Sequence, residues 1–351
     1  MGSRRFFLRI AQIASIAFPV PPRSHGGTEI AIDLLTRGLV ERGHDVTLFA
    51  SGDSRTTARL FAVVPRATQE DPASTSYLER DFEVRNVAEA YARADEFDVL
   101  HAHWPTPAPY FSNRTRRPTL LTCAYIERHL YDYYRAHDPR LRFACVSEAQ
   151  ARMLGGGPPV VPYGIDVARV PFGREAGDFL LTVGRLVPTK GADRAIEIAR
   201  LAGLPLTIVG DVTPYLADSR PYYEERIRPR IDGDRVRHFP TLPNAEVLAL
   251  MARARAFLFP ISWEEPFGLV VAEAMAAGTP VVATPRGSLP ELVAHGETGF
   301  LGETDEELAA FAGRAGELDR AACRRRVEER YSAARMVSDY EALYRGIVAV
   351  C

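Results

Sequence analysis

Phe179-Leu180-Leu181-Thr182-Val183-Gly184-Arg185-Leu186-Val187-Pro188-Thr189-Lys190-Gly191 reads as a short apolar strand, a glycine where the chain turns, and a loop that opens a helix. The helix is expected near residues 193–202, and apolar runs follow at 206–209, 236–239, 256–259 and 281–283, with helices at 245–254 and from about 269. Short fully apolar strands alternating with amphipathic helices make a parallel sheet with crossover connections.

The same rhythm runs earlier, with strands expected at 10–16, 45–50, 99–101, 119–123 and 143–146 and a helix at 29–41. It restarts after Gly155-Gly156-Gly157-Pro158-Pro159. This stretch and the loop around Phe172-Gly173-Arg174 read as the linker between halves. The predicted class is therefore α/β, with two Rossmann-like doubly wound parallel-sheet domains facing across a cleft. Ligands in such sheets gather at the carboxyl ends of the strands. The tail 322–350 is helical in pattern, with a break at Tyr331-Ser332.

Composition narrows the function. A chain of 351 residues with 43 basic and 45 acidic side chains carries a net charge of −2, against a dedicated nucleic-acid binder. Cys123, Cys145, Cys323 and Cys351 are far apart and lack paired metal spacing, which suits reduced thiols in a cytoplasmic protein. The N-terminal run through Phe6-Phe7-Leu8 is broken by Arg9 and Gln12 and reads as a first strand rather than a signal peptide. No segment reads as membrane-spanning.

Lys190 is the chain's only lysine among 43 Lys and Arg residues. A compact ammonium and a planar guanidinium are not interchangeable where an anion is gripped, so Arg185 and Lys190 suit a diphosphate, one as a fork and one as a point charge. Gly191 stands where a Walker A loop would place Ser or Thr, and no Gly-x-Gly-x-x-Gly fingerprint is present. In Glu264-Glu265-Pro266-Phe267-Gly268-Leu269-Val270-Val271-Ala272-Glu273, Pro266 and Gly268 put Glu265 in a loop and Glu273 inside the next helix. The amides of the turn at Gly268 and Leu269 suit an anion, and the two carboxylates suit polyol hydroxyls. Either glutamate alone reads as a helix-capping acid; the pair beside an independent phosphate-type loop favours a sugar, a diphosphate and a ribose.

These residues resemble the retaining nucleotide-sugar glycosyltransferases of family 4, which have the two-domain GT-B fold. The resemblance rests on Gly184-Arg185-Leu186 with Lys190-Gly191, the Glu265-to-Glu273 spacing, Gly278-Thr279-Pro280-Val281-Val282-Ala283, Pro290-Glu291 and Glu297-Thr298-Gly299-Phe300-Leu301. The first half matches more loosely, through Gly26-Gly27-Thr28-Glu29, His101-Ala102-His103 and Gly164-Ile165-Asp166. The resemblance implies that Arg185 and Lys190 hold the diphosphate, Glu273 the ribose and Glu265 the transferred sugar. It places the Phe267, Gly268 and Leu269 amides and the Gly184 turn against phosphate and sugar, Gly26 and Gly27 on the donor side, and His103 near the reacting carbon. It implies an acceptor-side domain over 1–165, a nucleotide-sugar domain over 166–330, and a C-terminal helix over 331–351 packing back on the first.

The implied reaction moves a hexose-type sugar from a UDP-, GDP- or dTDP-linked donor to a hydroxyl acceptor with retention, and requires neither metal nor cofactor. The acceptor is a saccharide, glycolipid or natural product. Departures such as Tyr163 before Gly164-Ile165-Asp166, and Cys123-Ala124-Tyr125 after the 119–122 strand, point to specialised acceptor recognition, as in antibiotic or cell-surface saccharide synthesis. Residues 114–142 carry seven arginines against three acids, with four tyrosines interleaved, and read equally as an acceptor surface or a solvated helix. Asp232-Gly233-Asp234 reads as a turn rather than a metal site. Two other activities fit a two-lobed nucleotide-sugar fold: an epimerase, which turns over donor without acceptor, and a noncatalytic binder, which does not turn over at all. A pyridoxal-phosphate phosphorylase is disfavoured because the one lysine lies in the phosphate loop.

Overall fold

The computed structural model describes residues 7–23, 26–104, 107–213 and 216–350. Contacts divide the chain into two compact units, one comprising 1–164 and 333–351, the other 165–332.

The first unit contains β1 (Arg9–Ile13), β2 (Asp45–Phe49), β3 (Arg59–Phe61), β4 (Val99–Ala102), β5 (Thr119–Thr122) and β6 (Arg142–Ala144). The second contains β7 (Leu180–Val183), β8 (Leu206–Val209), β9 (Val236–Phe239), β10 (Ala256–Phe259), β11 (Val281–Ala283) and β12 (Gly299–Leu301). Their orders are β3-β2-β1-β4-β5-β6 and β12-β11-β10-β7-β8-β9. Every pairing is parallel. Counted from its own first strand, each sheet has the doubly wound order 3-2-1-4-5-6.

Burial follows from that order. The central strands β4, β5, β8 and β10 are buried at every position because helices cover both faces. At the edge of the second sheet, β9 alternates half-buried and exposed residues. Each unit has its own core, one around Phe49, Phe97, Leu121 and Tyr134, the other around Leu180, Ile198, Leu258 and Leu308.

The predicted break at Tyr331-Ser332 separates the helices Arg320–Arg330 and Ala333–Ala349. The second of these packs on the helix Gly27–Glu41 within the first unit. Cys123, Cys145 and Cys323 are free and buried, while Cys351 lies outside the described residues. Among the described residues no helix is long and apolar enough to cross a membrane.

Candidate functional site

A doubly wound sheet reverses direction between its first and fourth strands, and ligands collect beyond the carboxyl ends of those two. In the second unit these are β7 and β10, which lead into the Arg185–Lys190 loop and the loop bearing Glu265. The two loops are sutured together. Gly191 has φ +71°, and a Cβ there would lie 2.3 Å from the Pro260 carbonyl oxygen, so glycine alone permits the approach. The Ser262 amide donates to the Thr189 carbonyl at 3.0 Å.

Lys190 Nζ consequently donates to Glu265 Oε2 at 2.7 Å, with the two side chains 16% and 9% exposed. The ammonium also lies 4.6 Å from the Trp263 ring and 5.1 Å from that of Phe259. Burial pulls the Lys190 pKa down, Glu265 opposes that fall, and the charge of Arg185 adds to it. Arg185 itself is exposed and has no ion pair among the described residues. The two predicted diphosphate cations thus stand differently, one ready and one engaged.

The Glu265 loop is locked from its far side. Glu264 accepts a hydrogen bond from the Gly287 amide at 2.6 Å, and the Ser288 amide donates to the Glu265 carbonyl at 2.9 Å. Ser288 Oγ donates to the Phe267 carbonyl at 2.7 Å. A Cβ on Gly287, whose φ is +56°, would sit 2.2 Å from the Glu265 oxygen. Phe267 is buried with its ring 5.8 Å from that of Tyr331, so the side chain anchors the loop and only its backbone is left for a ligand.

Gly268 then opens the helix Leu269–Ala276 without a side-chain cap, leaving first-turn amides suited to an anion. Glu273 lies in that helix. Burial pushes its carboxyl up to about 7, against an opposing hydrogen bond with Asn244. Asp232 Oδ1 accepts the amides of Asp234 and Val236, both at 2.9 Å, so Asp232-Gly233-Asp234 is the turn into β9.

The first unit repeats the arrangement. Beyond β1 the chain reaches Gly26, which precedes the uncapped start of the helix Gly27–Glu41. Gly27 is exposed, whereas Glu29 is buried in the first turn and its carboxyl is raised by desolvation. Beyond β4 comes His103, buried, with Nε2 at 2.5 Å from Gln12 Oε1 on β1. Gln12 Nε2 donates to the Tyr344 hydroxyl at 2.9 Å, and that hydroxyl meets His101 Nδ1 at 2.6 Å. His101 Nε2 meets Thr122 Oγ1 at 2.7 Å.

The donor inventory fixes the tautomer of His103. The amide nitrogen of Gln12 faces Tyr344, so its oxygen must accept and His103 Nε2 must carry the proton. His103 Nδ1 is then a bare acceptor, buried and without a hydrogen-bond partner among the described residues. Burial holds the His103 pKa down at about 3, so the ring is neutral and takes a hydroxyl proton donor rather than acting as a cation. His101 is fully bonded and supports the strand.

The 128–137 stretch forms the helix Arg128–His137, with Tyr131 and Tyr134 buried and Tyr133 exposed. Arg128 pairs with Asp132 at 2.7 Å, and the Arg135 guanidinium lies over the Tyr131 ring at 5.5 Å. Arg140 also pairs with Asp138 at 3.2 Å, so two of the seven arginines of this stretch are paired with its own acids.

Three residues absent from the sequence-based site belong to it. Trp263 adjoins the two glutamates and is one of only two tryptophans. Gln12 is a polar residue inside an apolar strand, a recognisable sign of a buried partner. Asn244 had no signal beyond following Pro243 at a helix start.

Two parallel α/β units, each with an anion-suited loop or helix start at its strand-order reversal, define the GT-B architecture. Residues 25–169 match Glycosyltransferase Family 4 and residues 168–319 match Glycosyl transferases group 1. The chain belongs to the family 4 glycosyltransferases. It is 39% identical over 194 residues to the glycogen synthase of Mycobacterium tuberculosis, a match spanning 52% of this chain and 44% of that protein. The chain therefore covers under half of that relative. It is 26% identical over 333 residues to the phosphatidyl-myo-inositol mannosyltransferase of Mycolicibacterium smegmatis, covering 85% of this chain and 82% of that one. Among solved structures it is similar to AviGT4, a glycosyltransferase involved in avilamycin A biosynthesis, at 25% identity and a TM-score of 0.73 over 98% of this chain and 99% of that one.

Proposed function

We propose that this chain transfers a hexose-type sugar from a nucleoside-diphosphate donor to a hydroxyl of an acceptor, with retention at the anomeric carbon. The observation that carries the reading is the Lys190–Glu265 ion pair at the β7/β10 reversal, with Arg185 close enough to act on the ammonium and the uncapped helix Leu269–Ala276, which bears Glu273, opening just after Glu265. Arg185, Lys190 and those amides meet the diphosphate, Glu273 the ribose hydroxyls and Glu265 the hydroxyls of the transferred sugar. Gly26 and Gly27 let the backbone approach the donor, and His103 Nδ1 accepts a hydrogen bond from a sugar hydroxyl.

In the reaction the bond from the anomeric carbon to the diphosphate oxygen breaks and the acceptor oxygen bonds the same face. The acceptor proton leaves with the diphosphate. Charge accumulates on that leaving group, so cations and amides fixed around it stabilise the transition state more than the ground state. Glu265 and Glu273 serve different parts of the donor, so they are not the paired carboxylates of a retaining hydrolase. The base, the sugar and a natural-product or cell-surface role belong to the same proposal, as do a cytoplasmic setting and independence of metal.

The test combines calorimetry with UDP, GDP and dTDP and turnover with their glucose conjugates. Glu265→Gln is expected to keep the fold and nucleotide affinity while losing transfer. Wild-type turnover by that variant removes Glu265 from the reaction. Conversion of the donor without release of nucleoside diphosphate would establish an epimerase instead.

A further inference from the structure

Trp104 follows His103 directly beyond β4, and Tyr125 lies just beyond β5, the hydrogen-bonded neighbour of β4. Their ring centroids are 6.4 Å apart with planes inclined at 49°. Trp104 is 42% exposed and Tyr125 50%, although the residues beside them, His103, Ala124 and Ile126, are buried. Two partly exposed aromatic rings thus stand in a shallow V just beyond the ends of adjacent strands. Exposed aromatic area grouped in this way marks a binding surface more often than a surface accident.

The charged side chains that follow Tyr125 in the chain are paired with one another. His129 Nδ1 lies 3.2 Å from Glu127, and Arg128 lies 2.7 Å from Asp132. The two rings offer apolar area and a tyrosine hydroxyl but no charge of their own, which suits a neutral ligand. A pyranose ring presents an apolar C–H face to an aromatic ring and keeps its hydroxyls at the edge, in water.

We propose that Trp104 and Tyr125 form a stacking platform for a neutral sugar ring of the acceptor. This rests on the donor reading above, since Trp104 directly follows His103, the residue given there to the transferred sugar. The platform makes the acceptor a saccharide or a glycosylated compound and sets its orientation by the ring face it stacks.

The chain's second tryptophan is Trp263, so Trp263→Phe leaves Trp104 as the sole indole and reporter. Maltose, methyl α-D-glucopyranoside and methyl α-D-mannopyranoside are titrated into that variant with UDP present. At least one is expected to give a saturable change in emission at millimolar concentration. Tyr125→Ala in the same background is expected to raise the apparent Kd at least tenfold, with UDP affinity within twofold of its parent. No emission change with any of the three overturns the proposal. So does tighter binding of glucose 6-phosphate, or a blue shift with phosphatidylglycerol vesicles but not with sugars. Failure of UDP, GDP and dTDP to bind the wild-type protein would overturn the donor reading instead, and the sugar titration still decides the platform.

Discussion

Replacing Glu273 by glutamine separates what that residue costs the fold from what it contributes to binding. Its carboxyl is pushed up from 4.5 to about 7, chiefly by burial, with the Asn244 hydrogen bond opposing. Between those values the folded protein keeps a proton that the unfolded chain releases, so stability falls as pH rises from about 4.5 to about 7 and is level above. At about 1.4 kcal/mol per pH unit the penalty reaches about 3 kcal/mol. Glutamine keeps the size and the bond to Asn244 without a charge to desolvate. In urea denaturation Glu273→Gln should match the wild type near pH 4.5 and be more stable by up to about 3 kcal/mol at pH 8. Glu83, pushed by burial to about 7, is present in both proteins and cancels in the difference. Donor binding should move the other way, weakening about ten- to hundredfold above pH 7 as a charge-assisted bond to a hydroxyl is lost. Stability curves that stay parallel across the pH range would refute the desolvation argument. Unchanged donor affinity at pH 8 would refute the ribose role.

Arg185→Ala should weaken nucleoside-diphosphate binding by calorimetry while leaving stability within about 0.5 kcal/mol, because the side chain is exposed and unpaired among the described residues. Lys190→Ala should lose both binding and about 3 to 5 kcal/mol of stability, since it strands Glu265 as a buried charge. Arg320→Met should cost at least about 3 kcal/mol in urea denaturation, because the buried guanidinium donates to the carbonyls of Gly173, Ala254 and Ala252 and to Thr279 Oγ1. Tyr344→Phe should cost about 1 to 3 kcal/mol by leaving His101 and Gln12 short of a partner, and should lower transfer while UDP binding is kept.

Legibility in the sequence followed the size of the apolar signal. The central strands are continuous apolar runs with helices between them, so the predicted 206–209, 256–259 and 281–283 coincide with β8, β10 and β11. The edge strands β3 and β12 lack a continuous apolar run: β3 begins with Arg59 and is mostly exposed, and β12 begins with Gly299. The helix Asp305–Arg314 did carry a readable signal, the capping box of Thr304 and Glu307. Motif residues were legible as chemistry but not as geometry. The 75-residue separation of Lys190 and Glu265 conceals their bond, which depends on strand order at the β7/β10 reversal. The network from His103 through Gln12 to Tyr344 was hidden for the same reason: its last member comes from the C-terminal helix, 332 residues from Gln12.

The proposed reaction gives a reason for the one lysine to stand at this place among so many arginines. Arg320, Arg324 and Arg326 spread their planar forks over backbone carbonyls and stay there, a static task at which five fixed donors excel. Lys190 sits against two aromatic rings and holds one oxygen of Glu265 through a single point charge. In the proposed reaction this bond must be exchanged: the diphosphate takes the ammonium, and the freed Glu265 oxygen takes a hydroxyl of the sugar. A guanidinium could clasp both carboxylate oxygens and would resist the exchange. A flexible ammonium can turn from one anion to the other, so a single rotation supplies the phosphate with its cation and the sugar with its acceptor. In the proposed reaction the lysine would therefore couple the two ends of the donor, and a donor lacking either the diphosphate or the sugar would complete only half of the exchange.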